Sequence, residues 1–212
     1  HDFALVDESG EVANIAIPAG DPVFDPANTG TATMPFVRSV FEHGTGPGDP
    51  RQHANAITHW IDGSMVYGSD ATRAMGLRSF SGGRLAVSAG DMLPYNTAGL
   101  PNAGGPSPTM FVAGDIRANE QTGLLAMHTL FVREHNRLAD EIAAANPGWD
   151  DEQVYQKARK LVGAEIQAIT YNEWLPAMLG GGLLGSYAGY NPSVDGSIDT
   201  AFSTAAFRIG HT

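Results

Sequence analysis

The chain has 212 residues, 42 % of them hydrophobic, with twelve basic side chains against twenty-three acidic ones for a net charge of −11. That length suits one sizeable domain with a hydrophobic core. The lack of any run of eighteen apolar residues excludes a helical membrane span, and basic residues scattered without a cationic face speak against nucleic acid as a partner. There is no cysteine, so disulfides, thiolate metal sites and cysteine nucleophiles are excluded together, and a transition metal would need His, carboxylate or cofactor ligands. The carboxylate excess favours solubility and is compatible with a bound divalent cation. The chain starts at His1 and stops at Thr212, directly after a histidine, which reads as a piece of a longer polypeptide.

In chain order, residues 1–50 are rich in Gly, Pro, Asp and Asn, with short apolar runs such as residues 13–18, and read as an extended, loop-rich segment. Residues 51–66 suggest a short helix followed by a turn, and residues 80–110 are loop again. A long helix is predicted from about Glu120 to Ala145, because Leu124, His128, Phe131, His135, Leu138 and Ile142 fall on one stripe; Pro147-Gly148 ends it. A second begins near Asp150, with Gln153 at the capping-box position. Its apolar positions Tyr155, Ala158, Val162, Ile166 and Ile169 keep the helical period until Pro176, and Gly180-Gly181-Gly182 breaks the pattern again. Residues 183–203 read as loop. The expected fold is mainly α, with long ordered loops.

Four places could carry chemistry. In Thr58-His59-Trp60-Ile61-Asp62-Gly63-Ser64, side-chain oxygens at the first, fifth and seventh positions and the Trp60 carbonyl can turn towards one point. Hard oxygens of this kind suit Ca²⁺, while the plain alternative is a capped turn. Arg117 and Glu120 stand at the start of the long helix, either as a cation and carboxylate at the mouth of a cofactor pocket or as an ordinary helix start with Glu120 favourable to the dipole. His128 and His135 lie on the apolar stripe seven apart, too far for one tetrahedral metal, and read as core residues with satisfied ring nitrogens. His211 follows Arg208-Ile209-Gly210, where Gly210 permits close approach of a flat ligand and Arg208 could pair with an anionic group. His43, His53 and His59 take no role.

These segments together resemble the animal haem peroxidase family, of the peroxidase–cyclooxygenase superfamily. The resemblance rests on His1-Asp2, on Asn55 to Thr58 with Asp62 to Ser69, on Ala113 to Glu120, on Met127 to Leu130 with Arg133 to Ala139, and on Ala206 to Thr212. It covers nearly the whole chain in register. It implies the family's helical fold as an incomplete domain, the central part from distal to proximal histidine over residues 1–212. It implies haem b and Ca²⁺ as cofactors, with hydrogen peroxide and a halide or small organic donor as partners, in an extracellular setting.

Residue by residue, the resemblance makes His1 the distal acid–base group, Arg117 the distal arginine and His211 the proximal ligand of the haem iron. Asp2, Thr58, the Trp60 backbone, Asp62 and Ser64 match a structural calcium site. Glu120 matches a carboxylate esterified to haem, and Arg208 is placed to meet a propionate. Gln121 stands where myeloperoxidase has a methionine bonded to the haem vinyl, so that link is expected to be absent. The lack of cysteine is unlike the disulfide-bearing vertebrate members and fits a bacterial relative better. Two further readings are a fatty-acid dioxygenase of the same fold, against which Arg208 stands where those enzymes carry a tyrosine, and a non-catalytic adhesion module. The 212-residue chain by itself is expected to bind haem poorly.

Overall fold

In the computed structural model the backbone is described for residues 11–46, 48–182 and 184–211, and side chains through Arg208. The described residues form two compact units, one of Trp60–Val194 and a second that joins the stretch ending at His59 with the one that starts at Asp195.

The first unit is built on two long helices. Helix α3, Thr122–Ala145, buries His128, Phe131, His135, Leu138 and Ile142 of the stripe that the spacing predicts, while Leu124 in the first turn is only partly buried. It starts two residues later than expected because the Gln121 side chain accepts from Gly123 N–H and caps it. Helix α4, Asp151–Ile169, opens with the full capping box, Asp150 and Gln153 each holding the other's backbone N–H. Tyr155, Ala158, Val162 and Ile166 are buried, while Ile169 is exposed. Pro176 does not end the helical run, contrary to expectation. Residues Thr170–Trp174 widen into a π-helical turn in which Leu175 N–H reaches back to Thr170 O, and α5, Leu175–Leu179, continues with Pro176 in its first turn. The wider turn moves aside the carbonyl that a proline ring would strike in a regular helix.

Two short helices precede these. Instead of a helix followed by a turn within residues 51–66, a left-handed Gly63 comes first and α1, Ser64–Tyr67, follows. Helix α2, Ala71–Gly76, is capped by Asp70 and was not predicted. Residues 80–110 are loop, pinned to the helices by side chains. Asn136 exchanges hydrogen bonds with Leu85 N–H (2.8 Å) and Leu85 O (3.1 Å), as a β-strand partner would. Arg78 pairs with Asp151 at 2.7 Å and with Glu152. Gly83 N–H donates to Asp151 at 2.6 Å. Gly83 has φ +69°, and a Cβ there would meet Tyr155 N at 2.6 Å, so only glycine fits this crossing.

In the second unit, β1 (Ile15–Ala16) and β2 (Thr33–Met34) pair antiparallel. Between them the buried Asp25 carboxylate gathers Thr29 N–H and O–H, Gly30 N–H and Gly20 N–H. Glu11 pairs with Arg51 at 2.6 Å and Arg38 at 3.3 Å. Near the end of the span 183–203 expected to be loop, Asp199 caps a helix, α6 (Thr200–Thr204), and beyond that span a 3₁₀ turn covers Ala206–His211. Thr200 donates to Gln52 at 2.8 Å, tying the two stretches of this unit together.

Candidate functional site

The loop of residues 111–119 carries Arg117 and is fixed at both ends and in the middle. Asn119 accepts from Phe111 N–H (3.0 Å) and donates to Phe111 O (2.8 Å), closing the loop on itself. Arg73, almost fully buried, donates to Ala113 O (2.7 Å), Pro101 O (2.6 Å) and Asn102 Oδ1 (2.9 Å). Burial pushes its pKa down, with Asp115 and Asp70 opposing. Gly114 lies so close to α1 that a Cβ would stand 2.2 Å from Ser64 O, and Asp115 N–H donates to Met65 O at 3.2 Å.

That close approach sets the Asp115 carboxylate, which accepts three bonds from Arg117: backbone N–H (2.7 Å), Nε (2.9 Å) and Nη2 (2.7 Å). The guanidinium is thus a preorganised cation with a fixed plane. Glu120 N–H closes a turn onto Arg117 O at 2.9 Å, and the Glu120 side chain is exposed. Both residues precede α3. Asp115, Arg73, Asn102 and Asn119 are positioning residues that sequence reasoning missed; Asp115 and Asn119 lie inside a segment singled out there, but nothing along the chain marks Arg73 or Asn102.

His128 and His135 are both buried in α3, as expected. His135 has both ring nitrogens bonded, Nδ1 to the Tyr67 hydroxyl and Nε2 to Gly83 O, each at 2.8 Å. His128 departs from the expectation of full satisfaction. Its Nδ1–H donates to Leu124 O at 2.8 Å, while Nε2 is buried with no hydrogen-bond partner. Burial lowers its pKa, the Leu124 bond and the Asp115 charge opposing.

Of the calcium candidates, Asp62 Oδ1 accepts from Ser64 N–H at 2.9 Å, the capped turn of the plainer reading. Thr58 belongs to the second unit and Trp60, Asp62 and Ser64 to the first. Among the described residues no group of three or more His, Asp or Glu could hold a metal. Arg208 donates from Nε to Ser203 O at 3.2 Å. The His211 backbone is in the final 3₁₀ turn; its side chain, His1 and Asp2 lie outside the described residues.

A family model described as animal haem peroxidase matches residues 5–212. The chain belongs to that family. A peroxidasin homolog of Mus musculus is 44 % identical over 220 residues, covering 94 % of this chain and 15 % of the relative. Peroxidase A from Dictyostelium discoideum has the same fold, with a TM-score of 0.86 and 35 % identity over 99 % of this chain and 44 % of that one. The fatty acid alpha-dioxygenase of Oryza sativa gives a TM-score of 0.61 and 26 % identity over 84 % of this chain and 26 % of that one. The chain therefore spans less than half the length of each of these relatives.

A haem peroxidase family implies haem, and the described residues fit such a group. Beyond the fixed guanidinium of Arg117 and the exposed Glu120 carboxylate, Met127 and Leu130 are half-exposed on α3, three residues apart. Exposed apolar side chains on a helix that a cation and a carboxylate precede are the kinds of group that would suit a flat apolar macrocycle with charged edges. No helix among the described residues is long and apolar enough to cross a membrane.

Proposed function

We propose that this chain is the portion of an extracellular haem peroxidase running from the distal to the proximal histidine, its two units being parts of one catalytic domain. Haem, when bound, supplies the redox chemistry that couples peroxide reduction to oxidation of a halide or small organic donor. His1 moves the proton between the two peroxide oxygens, as an imidazole near neutrality suits. Arg117 stabilises the charge that develops as the O–O bond breaks. His211 would hold the haem iron, Arg208 would pair with an anionic edge of the group, and Glu120 would be the carboxylate available for an ester to it. Asp2, Thr58, the Trp60 carbonyl, Asp62 and Ser64 would hold Ca²⁺, whose part would be structural rather than catalytic.

The observation that carries this reading is the Arg117 guanidinium held by three bonds to Asp115, inside a family match spanning residues 5–212. A cation oriented before the reaction costs no reorganisation when charge develops. The test is to replace the matched segment of the Dictyostelium peroxidase with this chain. The chimera should show a Soret band that shifts with peroxide. His211→Ala should abolish the band, and Arg117→Ala should keep it while slowing the shift by about 10²-fold. A folded, haem-loaded chimera that never responds to peroxide would support a scaffold role instead. The 212-residue chain alone should take up haem weakly, and tight one-to-one binding would overturn that expectation.

The likeness to the rice enzyme favours a second reading, fatty-acid dioxygenation. Arg208 at the position of the radical-forming tyrosine weighs against it, and oxygen uptake by the chimera on a long-chain fatty acid would decide for it.

A further inference from the structure

Tyr67 and His135 are fully enclosed in the first unit, and the reaction proposed above uses neither. Because Gly83 O can only accept, His135 Nε2 must carry a proton, which leaves Nδ1 as a lone pair receiving the Tyr67 O–H at 2.8 Å. The tautomer is set by backbone that only glycine can place there, since any Cβ on Gly83 would run into Tyr155 N and Val154. The phenol is thus aimed at a neutral base held from behind.

We propose that Tyr67 and His135 form a proton-coupled redox pair that takes up one oxidising equivalent; the proposal rests on the haem peroxidase reading only for its natural oxidant, a peroxide-oxidised haem. An electron leaves the Tyr67 ring for the oxidant. In the same step the phenolic O–H bond breaks and its proton forms an N–H bond at His135 Nδ1. The products are a neutral tyrosyl radical, an imidazolium still bonded to Gly83 O, and an oxidant reduced by one electron. Return of an electron sends the proton back. Coupling the two transfers avoids both a buried radical cation and a buried phenolate, each costly in a low-dielectric interior.

The neighbouring ring explains why the hole stops at Tyr67. Tyr155 stands edge-on at 6.0 Å, but its hydroxyl is buried with no hydrogen-bond partner, so it has no base to receive a proton. The Arg78 guanidinium lies 3.9 Å over the Tyr155 ring and opposes removal of an electron there. Arg159, 5.2 Å from the Tyr67 ring centre, makes the Tyr67 radical more oxidising and so short-lived. Such a pair draws an oxidising equivalent away from the cofactor when no donor is present, and then returns it or passes it on.

The test needs no haem. In the 212-residue chain with Tyr95, Tyr171, Tyr187 and Tyr190 changed to Phe, flash-quench photo-oxidation by ruthenium(III) tris-bipyridine should give a tyrosyl EPR signal. Its g-tensor should report a hydrogen bond from a cation, and its formation should slow by about twofold in D₂O, as proton transfer requires. Tyr67→Phe should remove the signal. His135→Gln, which can still accept from the phenol and donate to Gly83 O but cannot take the proton, should cut the yield by about tenfold or more with the helical circular dichroism retained. An undiminished signal in folded Tyr67→Phe or His135→Gln protein, or no D₂O effect on the radical, would overturn the proposal. Haem uptake is read separately from the Soret band, so failure of the cofactor assignment and failure of the redox pair remain distinguishable.

Discussion

Asp115 helps to decide where the Arg117 charge points, because its carboxylate accepts three bonds from Arg117. Asp115→Asn leaves the shape but loses the ionic component and one pure acceptor oxygen. It is expected to cost on the order of 2 kcal/mol of stability and to slow the peroxide-driven Soret shift of the chimera by about tenfold. A stopped-flow rate equal to that of the unsubstituted chimera would remove Asp115 from the machinery. At His135, burial, reinforced by Arg78 and Arg84, lowers the pKa from 6.5 to about 4, the Gly83 bond opposing. A depressed pKa means that the unfolded chain binds the extra proton first. The stabilisation is therefore complete above pH 6.5 and is lost as the pH falls through about 4, on the order of 3 kcal/mol in all. Urea midpoints of wild type and His135→Gln should converge as the pH falls across that window.

At the scale of the element, α3 and α4 were legible because each buries one stripe, and a 3.6-residue period survives any tertiary context. The Asp150–Gln153 box was legible for a similar reason, since both halves of the cap lie within four residues. Asp150→Ala should lower stability by about 1 kcal/mol, measured by urea unfolding. Helices α2 and α6 escaped because five or six residues show less than two turns of periodicity; only their caps, Asp70 and Asp199, signalled them. Pro176 misled because a proline announces a break only in a regular helix, and the wide turn before it is a property of the backbone rather than of any one residue type. The crossing of Gly83 over α4 was equally invisible, as it joins segments about seventy residues apart. Gly83→Ala, forced into φ +69° against Tyr155 N, should cost about 3 kcal/mol in thermal or urea unfolding.

For the whole molecule, the resemblance singled out Arg117 and Glu120, yet the residues that hold the loop of Arg117 come from separate stretches and could not be read along the chain. The second unit answers acid differently from the first. Asp25, lowered from 3.8 to about 2 by the bonds from Gly30 and Thr29, keeps its clasp above pH 4 and loses it as the pH falls through about 2. Hydrogen exchange at Gly20, Thr29 and Gly30 should therefore stay slow at pH values that already open the backbone around Gly83. Equal exposure of both near pH 3 would contradict this. The second unit is also discontinuous, with residues Trp60–Val194 threaded between its two stretches. During synthesis the strands β1 and β2 emerge early, but the partner of Gln52 is Thr200, made about 150 residues later. At a typical elongation speed of roughly 5–20 residues per second, that is a wait of about 7 to 30 seconds. The inserted unit has that interval to fold on the ribosome, and the stretch made before it is completed only after it.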